Sequence, residues 1–464
     1  MPYWRLSRET ISSALGSPRR GGVRTVAGYD EDTTTMAVEA ARRAGPGAGT
    51  SHLYDGVLLA TTMPVYADKT NATTVHAALG MRPDAHAGDA NGAVRSGVAA
   101  LLGGIQRPGT TLVALSDLRL GPSGSVDEAE GGDGAAAFVV GDGSAIPLVA
   151  ELIGYGSASR EFLDRWRAPG EKWSSSWEER FGEDVYAALG RQSIDSALKA
   201  AGIAAADIDR FAIVGLSGRA AKRVAKDAGV TPDSATADLM SQIGNCGTAQ
   251  PGLALSAMLD TAGPGEILAV TLLADGSDTL LFRTTEALGP RVGRDSLATQ
   301  ISGPSGDVSY ADFLTWRGLL QRQQPRRPDP DRAVAPASNR QLEWKFGFSC
   351  SECQACGVRH MPPQRVCMSC GTVDQMRSVR LADTPGRIAT YTVDYLAYSP
   401  APPVIGAVLD FDGGGRFQCE LTDLDADSLA VGQRVEMTFR HISDANGIRN
   451  YFWKARPTRE EQQA

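Results

Sequence analysis

From residue 1 to about residue 290 the chain alternates short apolar runs with Ala-rich stretches of helical period. This is the pattern of an α/β layer structure with a buried sheet. Gly56-Val57-Leu58-Leu59-Ala60, Thr111-Leu112-Val113-Ala114-Leu115, Phe211-Ala212-Ile213-Val214 and Ile267-Leu268-Ala269-Val270-Thr271-Leu272 read as buried strands. The segments also come in pairs, offset by roughly 150 residues. Strand 56–60 and the helix around Asn71–Leu79 match strand 211–214 and the helix Ala220–Ala228. Gly92 to Leu102 with strand 111–115 matches Gly244 to Leu259 with strand 267–272. Each half closes on an acidic-glycine turn entering a strand, Gly132-Asp133-Gly134 in the first and Asp275-Gly276-Ser277 in the second. The pairing predicts two copies of one α/β unit, over 1–145 and 146–300.

The texture breaks at Gln321–Asn339, a Pro- and charge-rich stretch almost without large apolar residues. With the helical Tyr310–Arg317 segment it forms a connecting region, 305–340. Beyond it, 341–377 carries clustered cysteines, and 378–457 reads as five short strands: 388–393, 404–409, 416–421, 434–439 and 451–454. Turn signals such as Asp412-Gly413-Gly414-Gly415 separate them. Five strands of this size predict a small closed barrel of the OB type.

Charge and composition remove whole classes of function. A net charge of −8 with scattered basic residues gives no footprint for nucleic acid. No apolar run approaches the roughly 20 residues needed to span a bilayer, and Met1-Pro2-Tyr3-Trp4-Arg5 lacks the apolar core of a secretory signal. A cytoplasmic location is expected. Five of the seven cysteines fall between Cys350 and Cys370, while Cys246 and Cys419 stand alone. That distribution suits a metal site in a reducing compartment rather than a disulfide framework.

Cys353-x-x-Cys356-Gly357 and Cys367-x-x-Cys370-Gly371 are two near-identical knuckles, in which paired thiolates grip one metal and the glycine permits the tight turn. Four thiolates close a tetrahedron and leave no position for water, so the site is structural; zinc is expected, with rubredoxin-like iron as the alternative. Cys350 offers a third Cys-x-x spacing and could replace Cys353, but the Cys-Gly repeat favours Cys353.

Tyr310-Ala311-Asp312-Phe313-Leu314-Thr315-Trp316-Arg317-Gly318, the Pro/Arg linker, both knuckles and Met361-Pro362-Pro363-Gln364-Arg365 resemble the zinc-ribbon/OB-fold proteins that accompany thiolase-superfamily enzymes. In that family the ribbon and barrel help dock an acyl-CoA enzyme or admit its substrate. The first 300 residues resemble the hydroxymethylglutaryl-CoA synthase and type III ketoacyl synthase branch of the thiolase superfamily. Tyr29 to Ala41, Gly132 to Ala137 and Gly244-Asn245-Cys246-Gly247 carry that resemblance. It implies a five-layer duplicated α/β fold, a coenzyme A or carrier-bound acyl thioester as substrate, and a homodimer formed through this half. The resemblance begins late, lacking the usual first strand ahead of Arg5-Leu6-Ser7-Arg8-Glu9, through a misassigned start or a real truncation.

The family's chemistry is missing where the resemblance places it. Condensing enzymes of this branch use a helix-N-terminal Cys nucleophile with His or Glu for proton transfer. Matching Asp89-Ala90-Asn91-Gly92-Ala93-Val94-Arg95-Ser96-Gly97 to the nucleophile turn puts Val94 where the cysteine belongs. The segment that brings the histidine reads Ile213-Val214-Gly215-Leu216-Ser217-Gly218-Arg219, and the general-base glutamate position falls near Thr62. Asn245 survives, the residue that in the family donates to a thioester oxygen as enolate charge develops. Three readings follow: carbon–carbon bond chemistry on a thioester without an acyl-enzyme, acyl transfer with Cys246 as a displaced nucleophile, and a non-catalytic acyl-binding scaffold. Cys246 also reads as a small buried residue. The five histidines show no ligand spacing, and His86 is expected on a loop. Trp166, Trp173 and Trp177 with Arg165, Arg167 and Arg180 suit contact with CoA or, equally, a surface or dimer contact.

Overall fold

The computed structural model describes all of the chain except residues 19–20, 46–49, 178, 216, 290–295, 324–333 and 459–464. Most of the Pro/Arg linker thus lies outside the described residues. The chain opens with β1 (Trp4–Ser7), α1 (Arg8–Leu15) and β2 (Val23–Val26), followed by α2 (Thr33–Ala44). The first α/β unit continues through β3 (Gly56–Thr61), α3 (Ala72–Leu79), β4 (His86–Asn91), α4 (Ser96–Ile105), β5 (Thr111–Asp117), α5 (Val126–Glu130) and β6 (Gly134–Val140). The second runs β7 (Ala150–Ala158), a small hairpin of β8 (Arg165–Trp166) and β9 (Ser175–Ser176), α6 (Glu179–Ala201), β10 (Arg210–Gly215), α7 (Gly218–Ala228), the helix Gln250–Thr261, β11 (Ile267–Leu273) and β12 (Ser277–Thr284). The predicted pairs β3/β10, β5/β11 and β6/β12 are all present.

The duplication shows in the sheets. One has the order β4-β3-β5-β6 and the other β10-β11-β12-β7. In each, β3/β5 or β10/β11 are parallel, and the next strand turns back antiparallel, β6 on β5 and β12 on β11. The central strands are near-continuous apolar runs because both sheet faces are covered; β5 and β11 are buried at every position. α4 and the helix Gln250–Thr261 form the middle layer, where Leu101, Leu115, Leu255 and Val270 meet. Glycine sets this spacing: a Cβ on Gly252 would come within 2.9 Å of both Ala136 and Leu115. α2 and α3 cover the outer face of the first sheet, α6 and α7 that of the second.

The C-terminal third begins with a three-stranded sheet, β15-β14-β16, from β14 (Ser349–Cys353), β15 (Arg359–His360) and β16 (Met376–Arg380), following the two-residue strand β13 (Gly306–Asp307) that pairs with β1. Then come β17 (Gly386–Asp394), β18 (Val404–Phe411), β19 (Arg416–Glu420), β20 (Arg434–Ala445) and β21 (Ile448–Pro457), in the order β19-β18-β17-β20-β21. All five predicted strands are present, and a parallel bridge between Leu421 and Ala455 brings the two ends of the sheet together. His86 is not on a loop: it is the exposed first residue of β4. Among the described residues no helix is long and apolar enough to cross a membrane.

Candidate functional site

The loops that follow β3, β4 and β10 and the turn before the helix Gln250–Thr261 converge at the middle layer. Val94 lies just ahead of α4 and is buried. The first turn of α4 presses on Thr248, so closely that a Cβ on Gly97 would lie 2.5 Å from the Thr248 carbonyl. The Thr248 N–H donates to Asp117 Oδ2 (2.9 Å), and Asp117 Oδ1 accepts from Thr62 Oγ1 (2.7 Å). Asp117 is fully buried, with Arg119 Nη1 3.7 Å away as counter-charge. Gly247 takes φ +53°, and a Cβ there would come within 2.2 Å of Asp117 Oδ2, so only glycine fits the turn.

Asn245 sits in the same turn. Its Nδ2 donates to the Gly215 carbonyl (2.6 Å) and its Oδ1 accepts from the Gly247 N–H (2.8 Å). Thr62 is linked through Asp117 to Thr248, and Asn245 joins Gly215 to Gly247 in the same turn, against which the first turn of α4 packs. Leu216, within the segment compared with the family's histidine loop, lies outside the described residues. An amide NH₂ has two hydrogens, so Asn245 retains a donor beyond the one committed to Gly215.

Cys246 behaves differently from its neighbour. Its side chain is completely buried, burial pushes the thiol up to about 12, and Asp133 adds to the rise. A thiol in that state is neither ionised nor reachable at neutral pH. The displaced-nucleophile reading meets a core residue packed beneath β6, where a Cβ on Gly134 would lie 3.2 Å from the sulfur.

The aromatic-basic stretch does reach the site. Arg167, beside the β8–β9 hairpin, donates to the Thr62 carbonyl and touches Met63 Sδ. Arg165 holds Asp127 through two 2.7 Å bonds, which fixes the hairpin. The Trp166 and Trp177 rings lie 6.1 Å apart, with Trp177 largely exposed. Nothing in residue spacing announced that Arg167 would meet Thr62, because the contact spans more than a hundred positions.

In the ribbon, Cys353, Cys356, Cys367 and Cys370 bring their sulfurs within 4.8 Å of one another. The Cys353–Cys370 and Cys356–Cys367 separations are 3.7 and 3.5 Å. A tetrahedron with metal–sulfur bonds of about 2.3 Å has edges of about 3.8 Å, close to these two separations, so the donor set suits zinc. Gly357 and Gly371 take φ of +75° and +74°, as the knuckles require. Cys350 is outside the cluster, buried in β14.

The barrel is docked through a set of charges that sequence reading passed over. Arg440, fully buried, meets Glu31 (2.6 Å), Asp30 (3.5 Å) and Asp423. Lys454 bonds Asp30 (3.1 Å), Arg456 bonds Glu39 (2.7 Å), and Arg449 and Tyr451 both donate to Asp32 (2.9 and 2.7 Å). Asp32 is also the N-cap of α2, so one carboxylate starts the helix and receives the barrel. Its neighbours divide electrostatically. Glu39 falls well below the usual carboxylate range, burial being outweighed by Arg456, Arg42 and Arg43, whereas burial raises Glu31 to about 6. The segment Tyr29 to Ala41, noticed only as a family signature, is the barrel's seat.

Comparison with known proteins accounts for both parts. The family of ChsH2 C-terminal OB-fold domains matches residues 378–440. The hydroxymethylglutaryl-CoA synthase of Aeropyrum pernix is 32% identical over 304 residues, 62% of this chain and 83% of that protein. The chain belongs to the hydroxymethylglutaryl-CoA synthase family. The synthase of Methanopyrus kandleri is 28% identical, over 69% of this chain and 95% of its own. A solved hydroxymethylglutaryl-CoA synthase complexed with CoA superposes with a TM-score of 0.58 at 17% identity, covering 72% of this chain and 91% of that one. The shared fold is thus the five-layer thiolase type, and within this family the chain joins it to a four-cysteine ribbon and an OB fold.

Proposed function

We propose that the protein makes or breaks a carbon–carbon bond in an acyl-CoA or carrier-bound thioester without a cysteine acyl-enzyme. The observation that carries this is the pairing of an intact Asn245 turn with Val94 at the expected nucleophile position, a segment 213–219 without histidine, and Thr62 near the expected glutamate position. In the retro-aldol direction a base takes the β-hydroxyl proton and the Cα–Cβ bond breaks. Its electron pair enters the thioester as an enolate, and Cα is then protonated, giving a carbonyl product and a shortened thioester. The enolate oxygen needs a fixed donor, which the second Asn245 hydrogen supplies, and the Asp117 network holds the turn in place. Bound water suffices as the base for a hydroxyl proton. Arg167 over Thr62 supports a closed, water-poor cleft for this step.

The four cysteines hold a structural zinc that folds the ribbon and takes no part in the reaction. A second copy docks through the thiolase-like half: β4, the outermost strand of its sheet with half-exposed residues, supports that edge as the dimer seam. The protein works in the cytoplasm on soluble thioesters. Incubation with a panel of labelled acyl-CoAs, followed by intact mass and product analysis, tests the reading. Cleaved or condensed thioesters without protein adduct are expected; a stable adduct lost in Cys246→Ala sinks the non-covalent chemistry. Thioester binding without turnover across the panel would make the chain a scaffold.

A further inference from the structure

The charges around the proposed cleft do not balance. Three guanidiniums gather near the loop after β3, and two of them have carboxylates of their own. Arg119 lies 3.7 Å from Asp117, and Arg165 is held by two 2.7 Å bonds to Asp127. Arg167 has no such partner. Its Nη2 donates to the Thr62 carbonyl and its Nη1 to Met63 Sδ, both uncharged acceptors, and among the described residues no carboxylate pairs with it. Two acids of its own segment are committed elsewhere: Asp164 accepts from the Tyr186 hydroxyl (2.9 Å) and Glu171 from the Ala168 N–H (2.8 Å). A thioether is a weak acceptor and a guanidinium carries five N–H donors, so Arg167 has donors as well as charge to spare. The excess reaches its neighbour. Burial lowers the Arg119 pKa, Asp117 opposes that, Arg165 adds to it, Asp127 opposes and Arg167 adds again. A half-buried cation in such a place ordinarily has an anion beside it.

We propose that Arg167 selects the substrate by binding a carboxylate carried on the acyl part of the thioester, so that the protein prefers dicarboxylic acyl thioesters to simple fatty acyl ones. This rests on the thioester reading above and adds to it the chemical class of the acyl group. Position favours the acyl end over the phosphates of CoA. Thr62 Oγ1 donates to Asp117 Oδ1 (2.7 Å), and Asp117 Oδ2 accepts from the N–H of Thr248 (2.9 Å), three residues past Asn245. Arg167 therefore rests on a residue that one carboxylate links to the Asn245 turn, assigned above to the thioester oxygen. The phosphates are separated from that oxygen by the whole pantetheine arm. The planar fork of a guanidinium matches a carboxylate in two parallel bonds, which gives selectivity as well as attraction. The arm is also fixed before a ligand arrives. The Arg165–Asp127 clamp holds the strand that leads to Arg167, and the Trp177 N–H donates to the Asp164 carbonyl (2.8 Å) across the base of the hairpin.

Calorimetric titration of the full chain tests this with pairs of ligands that differ by one terminal carboxylate: succinyl- against butyryl-CoA, glutaryl- against valeryl-CoA, and adipyl- against hexanoyl-CoA. In at least one pair the dicarboxylic member should bind roughly 10- to 100-fold more tightly. Arg167→Met should bring that ratio close to one, and Arg167→Lys, which keeps the charge and loses the fork, should give an intermediate value. A ratio near one for all three pairs in the unaltered protein would overturn the proposal. So would a ratio that Arg167→Met leaves unchanged, the result expected if the guanidinium reads the phosphates of CoA or only props the hairpin. Should Arg167→Met bind none of the ligands, Arg167→Lys decides: a lowered ratio supports the proposal and an unchanged one overturns it. Binding of no acyl-CoA by the unaltered protein would remove the thioester reading together with this one, whereas binding or turnover without discrimination removes this one alone.

Discussion

The proposed reaction cleft and the barrel's seat lie in one chain yet are opposite in content. Around Val94, Thr62 and Gly215 the frame is kept while the reactive side chains are absent: valine stands where the family resemblance places a nucleophile, threonine near the glutamate position, and the segment 213–219 carries no histidine. Around Arg440, Lys454 and Arg456 the reverse holds, with acids from α2 and its approach matched to bases from β20 and β21. The difference teaches that the enzyme half keeps its fold and its asparagine turn, whereas its attachment to the ribbon and barrel is specified charge by charge. Such an arrangement suits a catalyst whose remaining demands are binding, orientation and an oxyanion donor.

Predictions that would break or sharpen that contrast run from large to small. Replacing one cysteine of each knuckle, Cys356→Ser with Cys370→Ser, should take zinc from one per chain to none and abolish ordered structure over the ribbon, read by metal analysis and limited proteolysis. Arg440→Met should cost about 3–5 kcal/mol in urea unfolding, because Asp30, Glu31 and Asp423 lose a buried counter-charge. A cost below about 1 kcal/mol would mean that the seat is not the anchor. Asn245→Ala should lower kcat about 100-fold with a small change in KM; an equal loss in both binding and rate would reassign it to structure.

Glu31 gives a pH signature. Its carboxyl is raised to about 6 in the folded protein against an ordinary 4.5, so the folded state holds the proton more tightly than the unfolded one. Stability should therefore fall as pH rises from 4.5 through 6, by roughly 2 kcal/mol, and Glu31→Gln should remove that slope. Glu39 acts in the opposite sense: its contribution is present above the ordinary carboxylate pKa and is lost as pH falls below it. The smallest effect concerns Cys246. No alkylation of it is expected in the native protein at pH 8, and Cys246→Ala should leave turnover within about twofold.

Much of this was legible from residues alone, for definable reasons. The buried strands β3, β5, β10 and β11 stood out because parallel strands covered on both faces read as unbroken apolar runs. The ribbon stood out because four thiolates on one metal impose a local spacing. The barrel's seat did not, since Asp30 and Arg440 are each unremarkable charges until the fold brings them across some four hundred positions. Arg167 over Thr62 was hidden in the same way. Cys246 is the instructive intermediate: adjacency to Asn245 suggested chemistry, but successive residues of a turn can face opposite ways, one toward the cleft and the other into the packing under β6.

The seat has a consequence for stoichiometry. The ion pairs that hold the barrel on α2 and its approach come from residues far from the 305–340 connection, which adds the bond from Trp316 Nε1 to the Pro400 carbonyl (3.0 Å). What covalent continuity secures is a fixed ratio: each thiolase-like half is made together with one ribbon and one barrel, whatever the cellular concentration of the chain. Two separate polypeptides with the same seat would have to be expressed in balance to reach full occupancy, and any surplus barrel would expose Arg440, Lys454 and Arg456 to solvent without their acids.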